Sequence, residues 1–249
     1  MLTSTLKRIS YLKVANPHWL IILFAALLWV YYLAQQVGFS GEAHLHHAHH
    51  NMHHSPETIF FRPVLDWMIM VYAMMLPMTS STIRAIVNRI PVARQSRSLL
   101  IFILGYSLIW LVFGLVLFSA SKWVETLSSL VTQANLSIGA LAYLAAGVVS
   151  NADFRIRLLS ACGSIWAPRI VGYKADLDIA KIGIIEGVKC VQTCAHIMVA
   201  MYIAGHNLMQ MAVLTVALFY EKSRYRNKED LLRNTCFFLA IWELAIFYQ

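Results

Sequence analysis

Charge is scarce in this chain. Asp, Glu, Lys and Arg make up 13% of its 249 residues, about half of the roughly 25% usual in soluble domains. Hydrophobic residues make up 59%, and the mean hydropathy is +0.62. A soluble globule of this length cannot hide so much apolar surface, so the composition implies a membrane protein. Cysteine is scarce too. Cys162, Cys190, Cys194 and Cys236 all lie in or beside apolar segments, which argues against a secreted disulfide framework. No phosphate-binding Gly-rich loop, GxGxxG turn, GxSxG elbow, HExxH zinc motif or CxxCH haem motif is present. Their absence leaves no evident organic cofactor and no familiar enzyme class. No basic-aromatic surface marks a nucleic-acid partner. The net charge of +8 fits cytoplasmic loops of a membrane protein instead.

What is present is a series of apolar runs. They cover Trp19 to Val37, Val64 to Ile83, Leu99 to Ala120, Leu136 to Val149, Ile179 to Ala204, Leu208 to Tyr220 and Thr235 to Tyr248. This predicts an all-α, polytopic bundle of six to seven spans forming a single membrane domain over 1–249. Placing the N-terminus in the cytoplasm puts sixteen of the twenty Lys and Arg in the inner segments 1–18, 84–98, 150–178 and 221–234. Arg62 and Lys122 fall outside, and Lys181 and Lys189 within the fifth span. That asymmetry supports the orientation and a bacterial inner-membrane location, with lipid as the surrounding partner. The first span follows basic residues and lacks a small-residue cleavage site, so it reads as a retained anchor. No internal repeat is visible.

On this topology residues 38–61 form a periplasmic loop containing the run HLHHAHHNMHH. Its histidines are His44, His46, His47, His49, His50, His53 and His54. Imidazole is a common ligand for copper and zinc, and a block of this density can offer several donors to one ion. HxxHH boxes also occur in membrane di-iron enzymes, which need several boxes on separate segments. Here the other histidines are His18, His196 and His206, so a di-iron enzyme is not expected. A solvated polar loop is the plainer alternative.

Two apolar runs carry metal-ligand side chains at four-residue intervals, the spacing of one helix face. In the second span these are Asp66, Met70, Met74 and Met78, flanked by Met68 and Met75. Thioether sulfur favours Cu(I), although methionine also fills gaps in helical cores. Pro77 should interrupt this helix and release a carbonyl. In the fifth span the stripe is Glu186, Cys190, Cys194 and Met198, with His206 at the outer end. Both thiols can reach one ion, although Glu186 and Lys189 can also simply pair, and cysteine is a common small core residue. Glu243, Asp178 and Lys181 read as groups that tie helices together.

The run Ala73-Met74-Met75-Leu76-Pro77, together with Gly183 to Lys222 ending in Glu221-Lys222, resembles a bacterial family of predicted metal-binding integral membrane proteins of unknown function. Gly187, Cys190, Cys194 and Asn207 to Met211 match its later span, and Tyr106, Trp110 and Gly114 fit its third. Where the family has adjacent cysteines, this chain has Thr193-Cys194. The resemblance implies a divergent member that binds metal.

Together these features predict binding or relay of copper, with zinc the other candidate. Ions would be captured at the histidine loop and held at the Met and Cys stripes, for transfer to a membrane cuproenzyme or across the membrane. The alternative is an accessory subunit of a larger respiratory, photosynthetic or monooxygenase complex. The short fourth, sixth and seventh spans favour neighbours that relieve hydrophobic mismatch.

Overall fold

The computed structural model describes residues 18–42, 56–121, 123–124, 126, 137–150, 169, 172–205, 207–223 and 230–248. Among them every regular element is helical. In chain order these are α1 (His18–Glu42), α2 (Pro56–Met75), a 3₁₀ turn (Leu76–Thr79), α3 (Ser80–Val87) and α4 (Val92–Ser119). They are followed by α5 (Ile138–Ser150), α6 (Tyr173–Ala204), α7 (Leu208–Ser223) and α8 (Leu231–Phe247). Each apolar run of the sequence coincides with a helix or, for the second, with α2, the 3₁₀ turn and α3 in succession. Arg62–Val87, Val92–Ser119 and Tyr173–Ala204 are long and apolar enough to cross a membrane. Trp19–Ala34 and Ile138–Ser150 are shorter apolar helices.

Local chemistry sets the helix ends. Ser137 Oγ accepts the Ala140 N–H at 3.3 Å and caps α5. Gly205, at φ +89°, closes α6 in the left-handed conformation that glycine adopts most easily. Asn207 Oδ1 then accepts the Met209 N–H at 3.0 Å to start α7. Pro91 follows α3 and precedes α4, ending one helix and admitting the next.

The chain divides into two compact units. The first comprises Met1–Leu100 and Ala167–Asp176, the second Ile101–Trp166 and Leu177–Gln249. In the first, α1 packs on α2, the 3₁₀ turn and α3. Pro77 has no N–H to give to Ala73, four residues back, so that carbonyl loses its helical donor. Trp29 of α1 replaces it: its indole N–H donates to Ala73 O at 3.2 Å. Thr79 Oγ1 closes the 3₁₀ turn on Leu76 O at 2.7 Å. The carbonyl expected from Pro77 is thus freed and satisfied from a neighbouring helix. Elsewhere in this unit Asp176 accepts ion pairs from Arg94 at 2.7 Å and Arg97 at 2.9 Å. Arg94 also donates to Gly172 O at 3.3 Å.

In the second unit, glycines let α4 and α6 approach closely. A Cβ on Gly105 would lie 2.8 Å from Ala180 O, and one on Gly187 would lie 3.0 Å from Ile109 Cβ. A Cβ on Gly183 would run into the Phe102 carbonyl oxygen. Gly183 and Gly187 are one turn apart on α6, the small-xxx-small spacing that brings helix backbones together. Helix α8 packs against α5 and α7. Tyr143 of α5 donates to Gln210 Oε1 of α7 at 2.9 Å, and Gln210 Nε2 donates to Glu243 of α8. Ser150 Oγ lies 3.0 Å from His196 Nε2, joining α5 to α6.

Candidate metal site

The close α4–α6 packing positions the sulfur groups. Continuing the Gly183–Gly187 face of α6 by three residues reaches Cys190, and by four more Cys194. Both are buried thiols rather than disulfides. Tyr106 of α4, itself fully buried, donates its hydroxyl to Cys190 Sγ at 3.2 Å. Trp110, one turn along α4, is fully buried as well and packs edge-on against Phe113. Cys194 lies one helical turn beyond Cys190 on α6. Thr193 Oγ1 lies 3.5 Å from Cys194 Sγ and is anchored on the Lys189 and Cys190 carbonyls at 2.9 and 3.1 Å. Each sulfur is therefore oriented by a hydroxyl.

The thiol spacing suits a metal better than a disulfide. Side chains four apart on a helix have Cβ atoms about 5–6 Å apart, whereas a disulfide needs about 3.5–4.5 Å. Two metal–thiolate bonds of about 2.3 Å each span about 4.6 Å when collinear, a sulfur separation that matches i, i+4 spacing better than a direct S–S bond does. Met198 and Met201 continue the same buried face, both with no exposed surface. Counting at four-residue intervals finds Met198 and misses Met201, which is reached by a step of three. Tyr106 is missed as a contributor because it lies 84 residues from Cys190 in sequence. The glycine spacing on α6 was the available signal that α4 comes so near.

The remaining residues of the expected stripes are distributed unevenly. Glu186 is buried on α6. In the first unit Met70, Met74, Met75 and Met78 are buried, Met68 is half-buried, and Asp66 is exposed. Met78 lies in the 3₁₀ turn, whose residues advance about 120° each rather than about 100°. Met70 and Met74 therefore share a face, and Met78 is rotated off it. His44, His46, His47, His49, His50, His53, His54, His206 and Cys162 lie outside the described residues. Among the described residues no three His, Cys, Asp or Glu side chains converge. Two thiols with thioether neighbours are soft donors of the kind Cu(I) takes.

Comparison with known proteins agrees with this chemistry. No curated protein matches the chain, and no solved structure does. A family model described as PpoB2, copper chaperone, matches residues 64–246. The matched stretch contains both sulfur stripes and runs from within α2 to the last turn of α8, and it begins after the histidine run. It covers well over half of the 249 residues, and the chain accordingly belongs to the PpoB2 copper chaperone family.

Proposed function

We propose that this chaperone works within the bacterial inner membrane, holding Cu(I) between Cys190 and Cys194 on the way to a cuproenzyme. The reading takes the N-terminus as cytoplasmic and the seven apolar segments as spans. Copper is then cargo rather than a reactant, and the chain acts as a carrier rather than an enzyme. The observation that carries this reading is the buried thiol pair at i, i+4, each sulfur oriented by a hydroxyl. Thiolates supply the soft donors Cu(I) prefers. A dry surrounding protects the ion from water and competing ligands. Met198 and Met201 add weaker thioether donors along the same face, suited to releasing as well as holding an ion. The methionines of α2, Met70 and Met74 foremost, supply a second soft surface, and the histidine run supplies capture outside.

The histidine run precedes the family match, and in this reading capture there is an addition to the thiol site. The test is copper counted on purified protein loaded with Cu(I). The wild type should bind copper that resists a moderate chelator. Cys190→Ser with Cys194→Ser should lose that fraction. Alanine at His46, His49, His50, His53 and His54 should leave it in place and reduce only loosely held copper. Loss confined to the histidine variant would overturn the assignment of the site. A metal-free wild type that co-purifies with fixed membrane partners would favour an accessory subunit instead.

A further inference from the structure

The carboxylate of Glu243 stands out among the polar groups that the thiol site leaves unused. It is the one acidic residue within α8, whose sequence LLRNTCFFLAIWELAIF is otherwise largely apolar. An ionisable group in such a helix is costly unless it has a partner or a task. One oxygen is pinned. Tyr143 donates to Gln210 Oε1 at 2.9 Å, which fixes which way round the amide lies, and Gln210 Nε2 then donates to Glu243 Oε1. Tyr143 and Gln210 are both buried, so the arrangement is set by packing rather than by water. The other oxygen is left with no hydrogen bond among the described residues. A Cβ placed on Gly139 would lie 3.1 Å from Glu243 Oε2 and 3.3 Å from Ala204 Cβ. The missing side chain of Gly139 therefore lets Oε2 and Ala204, the last residue of α6, both close in on the same point of α5.

Ala204 heads a single face of α6. Steps of three, three, four and four residues lead from it to Met201, Met198, Cys194 and Cys190. Met201 and Met198 are fully buried. From Ala204 to Cys194 is ten residues, about 15 Å along the axis. The carboxylate oxygen thus sits at the head of a column of sulfur ligands that ends at the thiols.

We propose that Glu243 is the entrance ligand through which a copper cation reaches the sulfur column of α6, with Gln210 and Tyr143 as positioning residues. This rests on the reading of Cys190 and Cys194 as the copper site. A carboxylate oxygen is a hard donor and meets an incoming cation that is still partly hydrated. The thioethers below it take over as water is shed, and the thiolates hold the ion last. A role as helix glue needs no charge at this position, because a neutral amide accepts the same hydrogen bond from Gln210.

The charge and the glue are therefore separable. Wild type and Glu243→Gln are reconstituted in phosphatidylcholine vesicles, and Cu(I) is supplied outside in acetonitrile-buffered solution. Thiolate-to-copper absorption reports arrival at the thiols. Glu243→Gln is expected to melt at the wild-type temperature, to load at least tenfold more slowly, and to reach the same final copper content. Gly139→Ala, which crowds Oε2 without altering charge, is expected to slow loading as well. Should Glu243→Gln fail to accumulate, Gly139→Ala decides by the same readout. Wild-type loading rates in the folded variants overturn the entrance role. Cys190→Ser with Cys194→Ser is run alongside: persistence of the absorption there defeats the copper-site reading itself, whereas normal loading in Glu243→Gln with intact cysteine dependence defeats the entrance alone.

Discussion

Tyr106→Phe isolates the contribution of one hydroxyl to copper affinity. The ring is fully buried and stays in place in the variant, so packing is nearly preserved. What disappears is the hydrogen bond to Cys190 Sγ at 3.2 Å. Without metal, Cys190 is a neutral thiol, and a neutral hydrogen bond contributes about 0.5–1.5 kcal/mol. With Cu(I) bound, Cys190 is a thiolate, and a hydrogen bond to a charged group contributes about 1.5–3 kcal/mol. Affinity responds to the difference between the two states, about 1–1.5 kcal/mol. At 1.4 kcal/mol per decade that is a five- to tenfold rise in Kd. The fold itself should lose no more than the smaller quantity, a fall in Tm of a few degrees. Competition with a chromophoric Cu(I) chelator in detergent measures Kd, and differential scanning fluorimetry of the metal-free protein measures Tm. An unchanged Kd together with a lowered Tm would refute the reasoning, because the hydroxyl would then serve packing without touching a metal ligand.

Two further substitutions examine the framework. Gly183→Ala places a methyl group against the Phe102 backbone, with Phe102 Cα 3.2 Å away. No side-chain rotation relieves that clash, so α4 and α6 must part at a cost of about 1–3 kcal/mol; Tm and copper affinity should fall together, and an unchanged Tm would show the helices to be less closely packed. Asp176→Asn deprives Arg94 and Arg97 of their shared carboxylate. Because Arg97 is largely exposed, the loss should stay near 1 kcal/mol and the gap in Tm between variant and wild type should narrow in high salt, while copper content stays at the wild-type level.

Helix positions were legible because hydropathy alone marks long apolar runs. The end of α6 at Ala204 and the start of α7 at Leu208 fall where the sequence places them. The start of α6 does not. It begins at Tyr173 rather than Ile179, because Lys174, Asp176 and Asp178 are compatible with helix although they do not register as apolar. Asp176, paired with Arg94 and Arg97, holds that first turn. Four-residue spacing describes a stripe only on an unbroken helix, and at Pro77 the helix gives way to a 3₁₀ turn that rotates Met78 away from Met74. Cys190 and Cys194 share one helix, so their proximity followed from spacing alone. Their partner Tyr106 belongs to another helix, and long-range packing is not contained in the periodicity of either. The sequence marks Glu243 as a tie between helices, and the hydrogen bond from Gln210 joins α7 to α8 there. Its second oxygen near Ala204 depends on the missing side chain of Gly139, which only three-dimensional placement reveals.

X-ray absorption on protein loaded with one equivalent of Cu(I) tests the central claim most directly. A cuprous edge with a sulfur shell at about 2.2–2.3 Å, lost in Cys190→Ser with Cys194→Ser, is the predicted result. A first shell of imidazole nitrogen that survives replacement of both cysteines would contradict it.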